Sequence, residues 1–137
     1  MANEEEEMLM PLRSDEDIVR LRQLVREQMV AAGFSLIDQT KLVTASSELA
    51  RNTLRYGGGG EARVRQIHNG VKRGLSLEFS DQGPGIPDIE LALRDGYTSG
   101  GGMGLGLSGA KRLSDEFEIE SAPGMGTTVK IRKWKPY

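Results

Sequence analysis

The stretch TSGGGMGLGLSGAKRL spans residues 98–113. Six of the ten positions from Gly100 to Gly109 are glycine, directly ahead of a helical pattern that sets Leu107, Ala110 and Leu113 on one arc. Three readings compete: a linker, a dinucleotide fingerprint and a loop that holds phosphate. Gly104 to Gly109 formally matches G-x-G-x-x-G, but that fingerprint follows a strand directly, and Tyr97-Thr-Ser-Gly-Gly-Gly precedes it here. A P-loop needs Gly-Lys-Ser/Thr ahead of its helix, whereas Lys111 falls inside one; the HRD and DFG signatures of eukaryotic protein kinases are also absent. Linkers are usually polar throughout, whereas Met103, Leu105 and Leu107 alternate with these glycines. What the segment supplies is bare backbone N–H groups at a helix start, where unpaired donors and the helix dipole favour an anion. Taken alone, the glycines specify an anion and nothing more.

The rest of the chain narrows the class. Its 137 residues suit one domain, expected over 8–137 behind a flexible acidic N-terminus at 1–7 that contains the like-charge run Glu4 to Glu7. A net charge of -2 gives no basic field for nucleic acid, and no apolar run is long enough for a bilayer, so neither is an expected partner. Cysteine is absent, which removes disulfides, thiolate metal sites and a cysteine nucleophile together. The first residues, MANEEEEMLM, lack a basic region followed by a long apolar stretch, so a cytoplasmic location is the default expectation.

Periodicity predicts a short edge strand over 8–12 and a helix over 15–32, opened by Ser14 and Asp17 and closed by Gly33. A second helix is expected over 38–55, with Leu42, Val43, Leu49, Ala50 and Leu54 on the core arc and Lys41, Thr44, Glu48, Asn52 and Arg55 opposite. Alternation predicts strands over 61–67 and 75–79, joined by a slightly long connection that carries the turn signal Asn69-Gly70. A short helix at 87–94, a longer one at 105–116 and strands at 117–121 and 127–134 complete the order. This order suits an α+β fold: a two-layer α/β sandwich with a mixed, mostly antiparallel sheet and helices on one face.

Four segments then fall in line: Glu48-Leu-Ala-Arg-Asn52, Asp81-Gln-Gly-Pro-Gly85, Gly102-Met-Gly-Leu-Gly106 and Gly124-Met-Gly-Thr127. In this order they resemble the N box, G1 box, G2 box and terminal Gly-Thr of the GHKL (Bergerat-fold) ATPases and kinases. SSELARN, SDQGPGIPD and GAKRLSDEF further resemble the small bacterial serine/threonine kinases that act as anti-sigma or switch proteins, the RsbT-type stressosome switch kinases among them.

The resemblance implies ATP and Mg2+ as cofactors and assigns roles residue by residue. Asp81 would accept from the adenine amino group, with Gly83 and Gly85 leaving room for the ring and Ile86 supporting it. Asn52 would ligate Mg2+ through its amide oxygen, as an ion that takes few protein ligands allows. Glu48, one turn earlier, would orient or deprotonate the attacking hydroxyl as catalytic base. Gly102, Met103, Gly104, Leu105 and Gly106 would grip the phosphates beneath a short lid at 97–101, and Thr127 would hydrogen-bond near the adenine, with a purely structural strand threonine as its rival reading. His68, the sole histidine, reads as a strand-surface residue and Trp134 as packing.

The implied partners are a STAS-domain antagonist, a STAS-domain scaffold protein of the stressosome and a PP2C-type phosphatase. The alternative is an anti-sigma factor that sequesters a sigma factor in a nucleotide-dependent way.

Overall fold

The computed structural model describes residues 7–94 and 106–136. The chain runs β1 (Glu7–Leu12), α1 (Asp15–Ala32), α2 (Leu36–Arg55), β2 (Gly60–Asn69), β3 (Lys72–Asp81), α3 (Ile89–Ala92), α4 (Gly106–Leu113), β4 (Glu116–Ser121) and β5 (Thr127–Trp134). The five strands form one sheet in the order β1-β2-β3-β5-β4. The α+β sandwich is therefore as expected, while the sheet proves antiparallel at every described pairing rather than mixed.

Alternation along the strands decides which face meets the helices. Val64, Leu77 and Ile131 lie side by side across β2, β3 and β5, as do Ala62, Phe79 and Val129 one step along, and all six are buried. Ile18, Leu21, Val25 and Met29 on α1, with Leu42, Ala45, Leu49 and Ala50 on α2, cover that face. At roughly 25 cal/mol per Å² of apolar surface removed from water, this shared layer is the main force holding the helices on the sheet. The opposite face carries a ladder of alternating charge, Arg63, Glu78, Lys130 and Glu118, on neighbouring strands.

The helix ends follow local chemistry. α1 stops where Gly33 adopts φ 86°, with the Gly33 and Phe34 amides donating to the carbonyls of Val30 and Met29. Ser14 supplies no side-chain cap; Asp17 Oδ2 instead accepts from the Arg13 amide at 2.8 Å. Ser35 Oγ caps α2 by accepting from the Asp38 amide at 3.1 Å, which starts that helix two residues before the predicted 38.

Other boundaries move as well, the short helix expected at 87–94 shrinking to Ile89–Ala92 behind its Asp88 cap. The β2–β3 ladder continues to the pair Asn69–Lys72, so the turn is a tight two-residue one with Gly70 at φ 65° and not the longer connection expected. α4 ends at Leu113 because Ser114 Oγ bonds back to the Ala110 and Lys111 carbonyls and the Asp115 amide goes to Arg132; Glu116 is thus a strand residue rather than helical. Glu7 already pairs with Arg65, so it belongs to β1, while the remainder of the acidic run lies outside the described residues.

Candidate functional site

α2 is the element that makes the site. The arc opposite the core is covered only in part: α4 packs beside Glu48, whose side chain is 13% exposed, and Asn52 is half-buried, while Lys41 and Arg55 stay exposed; Ser46, Ser47 and Thr53 are buried. Ser46 and Thr53 tolerate burial by returning their hydroxyls to the carbonyls of Leu42 and Leu49. The Glu48–Asn52 side of α2 therefore faces a cleft.

That cleft holds a cavity of about 250 Å³ between α2, the ends of β3 and β5, the loop after β3, and the start of α4. Asn52, Asp81, Gly85, Ile86 and Thr127 all line it, joined by the apolar Leu49, Phe79, Leu107 and Val129. An apolar cavity of about 150 Å³ accepts benzene, so this volume accommodates a two-ring purine. Asp81 and Thr127 bring a carboxylate and a hydroxyl to it side by side, as register partners on β3 and β5.

Asp81 is held from behind. Its Oδ1 accepts the Gly83 amide at 2.8 Å, and Gly57, from the turn after α2, lies against its carboxylate. Gly83 does not line the cavity; a Cβ there would meet the Gly57 backbone. Gly85, at φ 83°, would drive a Cβ into the Ala122 carbonyl. A side chain at either glycine would therefore strike the chain itself, Gly57 in one case and Ala122 in the other, while Gly85 also lines the cavity.

Glu48 sits outside the cavity lining, one helical turn from Asn52. Its Oε2 accepts from Arg51 Nη1 at 2.7 Å, and its Oε1 lies 3.5 Å from the Gly106 amide at the start of α4. Gly106 takes φ 70° there. Gly102, Met103, Gly104, Leu105 and the 97–101 lid lie outside the described residues. Among the described residues, no group of three or more His, Cys, Asp or Glu side chains could hold a metal, so the donor set offers no dedicated cation cage.

Sequence reasoning missed Ser121. Its Oγ meets the Ile86 amide at 2.8 Å, the Gly126 carbonyl at 3.0 Å and Thr127 Oγ1 at 2.8 Å, tying the loop after β3 to the last hairpin. Gly57 and Tyr56 were missed as well, although Tyr56 also lines the cavity. No local pattern marks these three, because their neighbours are distant in sequence. His68 is an exposed residue of β2 and Trp134 packs over Gly74, as read from the sequence.

Residues 37–136 match the family described as histidine kinase-, DNA gyrase B- and HSP90-like ATPases. The chain belongs to this family. It is 47% identical to the serine/threonine-protein kinase RsbT of Bacillus subtilis, across 86% of this chain and 89% of that one. It is also 32% identical to an anti-sigma F factor of Thermoanaerobacter, across 77% and 80% of the two chains. Within the GHKL family the protein is thus an RsbT-type serine/threonine kinase. The crystal structure of the RsbU and RsbW domains of Rv1364c from Mycobacterium tuberculosis shares the fold, with TM-score 0.64 at 20% identity, over 96% of this chain and 33% of that longer one. No helix among the described residues is long and apolar enough to cross a membrane.

Proposed function

We propose that this GHKL kinase, working as one domain over 8–137 in the cytoplasm, binds ATP with Mg2+ in the α2–β3–β5 cleft and phosphorylates a serine or threonine of a STAS-domain antagonist or stressosome scaffold. Released from that partner, it activates a PP2C-type phosphatase. The observation that carries the reading is the convergence of Asn52, Asp81, Gly85, Ile86 and Thr127 on one purine-sized cavity, with Glu48 one turn from Asn52.

Asp81 accepts from the adenine amino group through the oxygen that Gly83 leaves available. Ile86, Leu107 and Val129 give the cavity apolar walls that would pack on the ring and exclude water. Asn52 would hold Mg2+ through its amide oxygen, and the lack of a carboxylate cage among the described residues fits an ion that would arrive with the phosphates. Glu48 takes the proton of the acceptor hydroxyl, whose oxygen forms the new bond to the γ-phosphorus as the bond to the β–γ bridging oxygen breaks and ADP leaves. Arg51 fixes the Glu48 carboxylate while leaving Oε1 directed at the start of α4. Gly102 to Gly106 supply amides for the phosphates beneath the 97–101 lid.

Transfer would place roughly -2 charge on the partner and weaken its hold on the kinase. Calorimetry tests the nucleotide reading: Mg2+-dependent ATP binding is expected for the wild type, with strong weakening in Asp81→Asn.

The likeness to anti-sigma F factors favours a second reading, in which the same pocket tunes the sequestration of a sigma factor. Pull-down from lysate separates the two. Recovery of STAS proteins or a phosphatase supports the switch kinase, and recovery of a sigma factor supports sequestration.

A further inference from the structure

Ser121 Oγ carries one proton and has three polar neighbours. The Ile86 amide can only donate to it and the Gly126 carbonyl can only accept from it. Gly126 is buried, so its carbonyl requires a donor. One assignment satisfies all three contacts: Ser121 donates to Gly126, accepts from Ile86, and accepts the Thr127 hydroxyl proton across 2.8 Å.

The proton of Thr127 is then committed to Ser121, so the hydroxyl oxygen of this cavity-lining residue has only lone pairs left to offer a ligand. Asp81, its partner across the β3–β5 ladder, is an acceptor as well. Two acceptors facing one end of a purine suit an exocyclic amino group, which has two N–H donors, and oppose a 6-oxo group, which has none.

We propose that Ser121 is a positioning residue that sets the polarity of Thr127 and so makes the pocket select 6-aminopurine over 6-oxopurine nucleotides. The inference rests on the nucleotide reading given above. It adds a selection device outside the cavity wall, since Ser121 does not line the cavity. Ser121→Ala would free the Thr127 hydroxyl to rotate and donate to a 6-oxo group.

The experiment measures Mg2+-dependent binding of ADP and IDP by calorimetry to the wild type, Ser121→Ala, Ser121→Thr and Thr127→Val. The ADP-to-IDP affinity ratio is expected to fall about three- to tenfold in Ser121→Ala, the scale of one net hydrogen bond, and to be retained in Ser121→Thr. A purely structural serine would weaken both nucleotides together and leave the ratio unchanged, which overturns the proposal. Should Ser121→Ala fail to fold, Thr127→Val decides: a lowered ratio supports the polarity assignment and an unchanged one refutes it. If the wild type binds neither nucleotide, the ATP reading fails together with this inference; if it binds ADP and the ratio does not move, only this inference fails.

Discussion

Gly57 lies so close to Asp81 that a Cβ on the glycine would fall 2.5 Å from the carboxylate oxygen Oδ2. The glycine has ordinary backbone geometry, so space rather than φ excludes a side chain. Gly57→Ala is expected to push the carboxylate out of line and weaken ADP binding about tenfold or more, on the scale of a charge-assisted hydrogen bond. Calorimetry would read the affinity, and circular dichroism would check that the fold persists.

Asp81→Asn keeps an oxygen for the Gly83 amide while removing the charge. The expected outcome is a folded protein whose affinity for adenine nucleotides drops about ten- to a hundredfold. An unchanged affinity would remove Asp81 from the purine site.

Glu48 and Arg51 form a pair whose acidic member is mostly buried and whose basic member is about one-third exposed. Glu48→Gln is expected to preserve Mg2+-ATP binding and to lower phosphotransfer by about 10²- to 10⁴-fold, the usual contribution of a general base. Arg51→Ala is expected to lower the turnover rate with smaller effect on nucleotide affinity, because it releases the base without removing it.

Glu116 gives the fold a pH dependence away from the site. The Trp134 indole N–H donates to its Oε2 at 2.7 Å and Arg132 to its Oε1 at 3.0 Å, and these bonds lower its pKa below the usual carboxylate value. A carboxylate held lower in the folded state stabilises above its unfolded pKa, and that contribution disappears as pH falls through the folded value. The loss therefore begins below about pH 4.5. Denaturant titrations at pH 7 and pH 3, followed by the fluorescence of the single Trp134, are expected to show a smaller pH difference in Glu116→Gln than in the wild type.

Much of this was legible from local pattern. The α1 limits and those of β5 follow from a 3.6-residue and a two-residue period that run unbroken to a glycine or to the chain's basic end. What the charged arc of α2 does not reveal is its surroundings: the cover beside Glu48 comes from α4, more than fifty residues later in the chain. Ser121 and Gly57 carry no signal because serine and glycine are ordinary in turns and strand ends, and their significance comes from Thr127, Ile86 and Asp81 arriving beside them in space. At Gly83 and Gly85 a side chain would meet backbone that is distant in sequence, Gly57 at one and Ala122 at the other, which no local pattern shows.

Phosphoryl transfer from this cleft to a protein hydroxyl is read by incubation with γ-labelled ATP, Mg2+ and purified STAS-domain proteins. Label is expected on serine or threonine of one STAS protein with the wild type and is expected to be nearly absent with Glu48→Gln. ATP bound at the site with no label reaching any STAS protein, or equal labelling by Glu48→Gln, would contradict it.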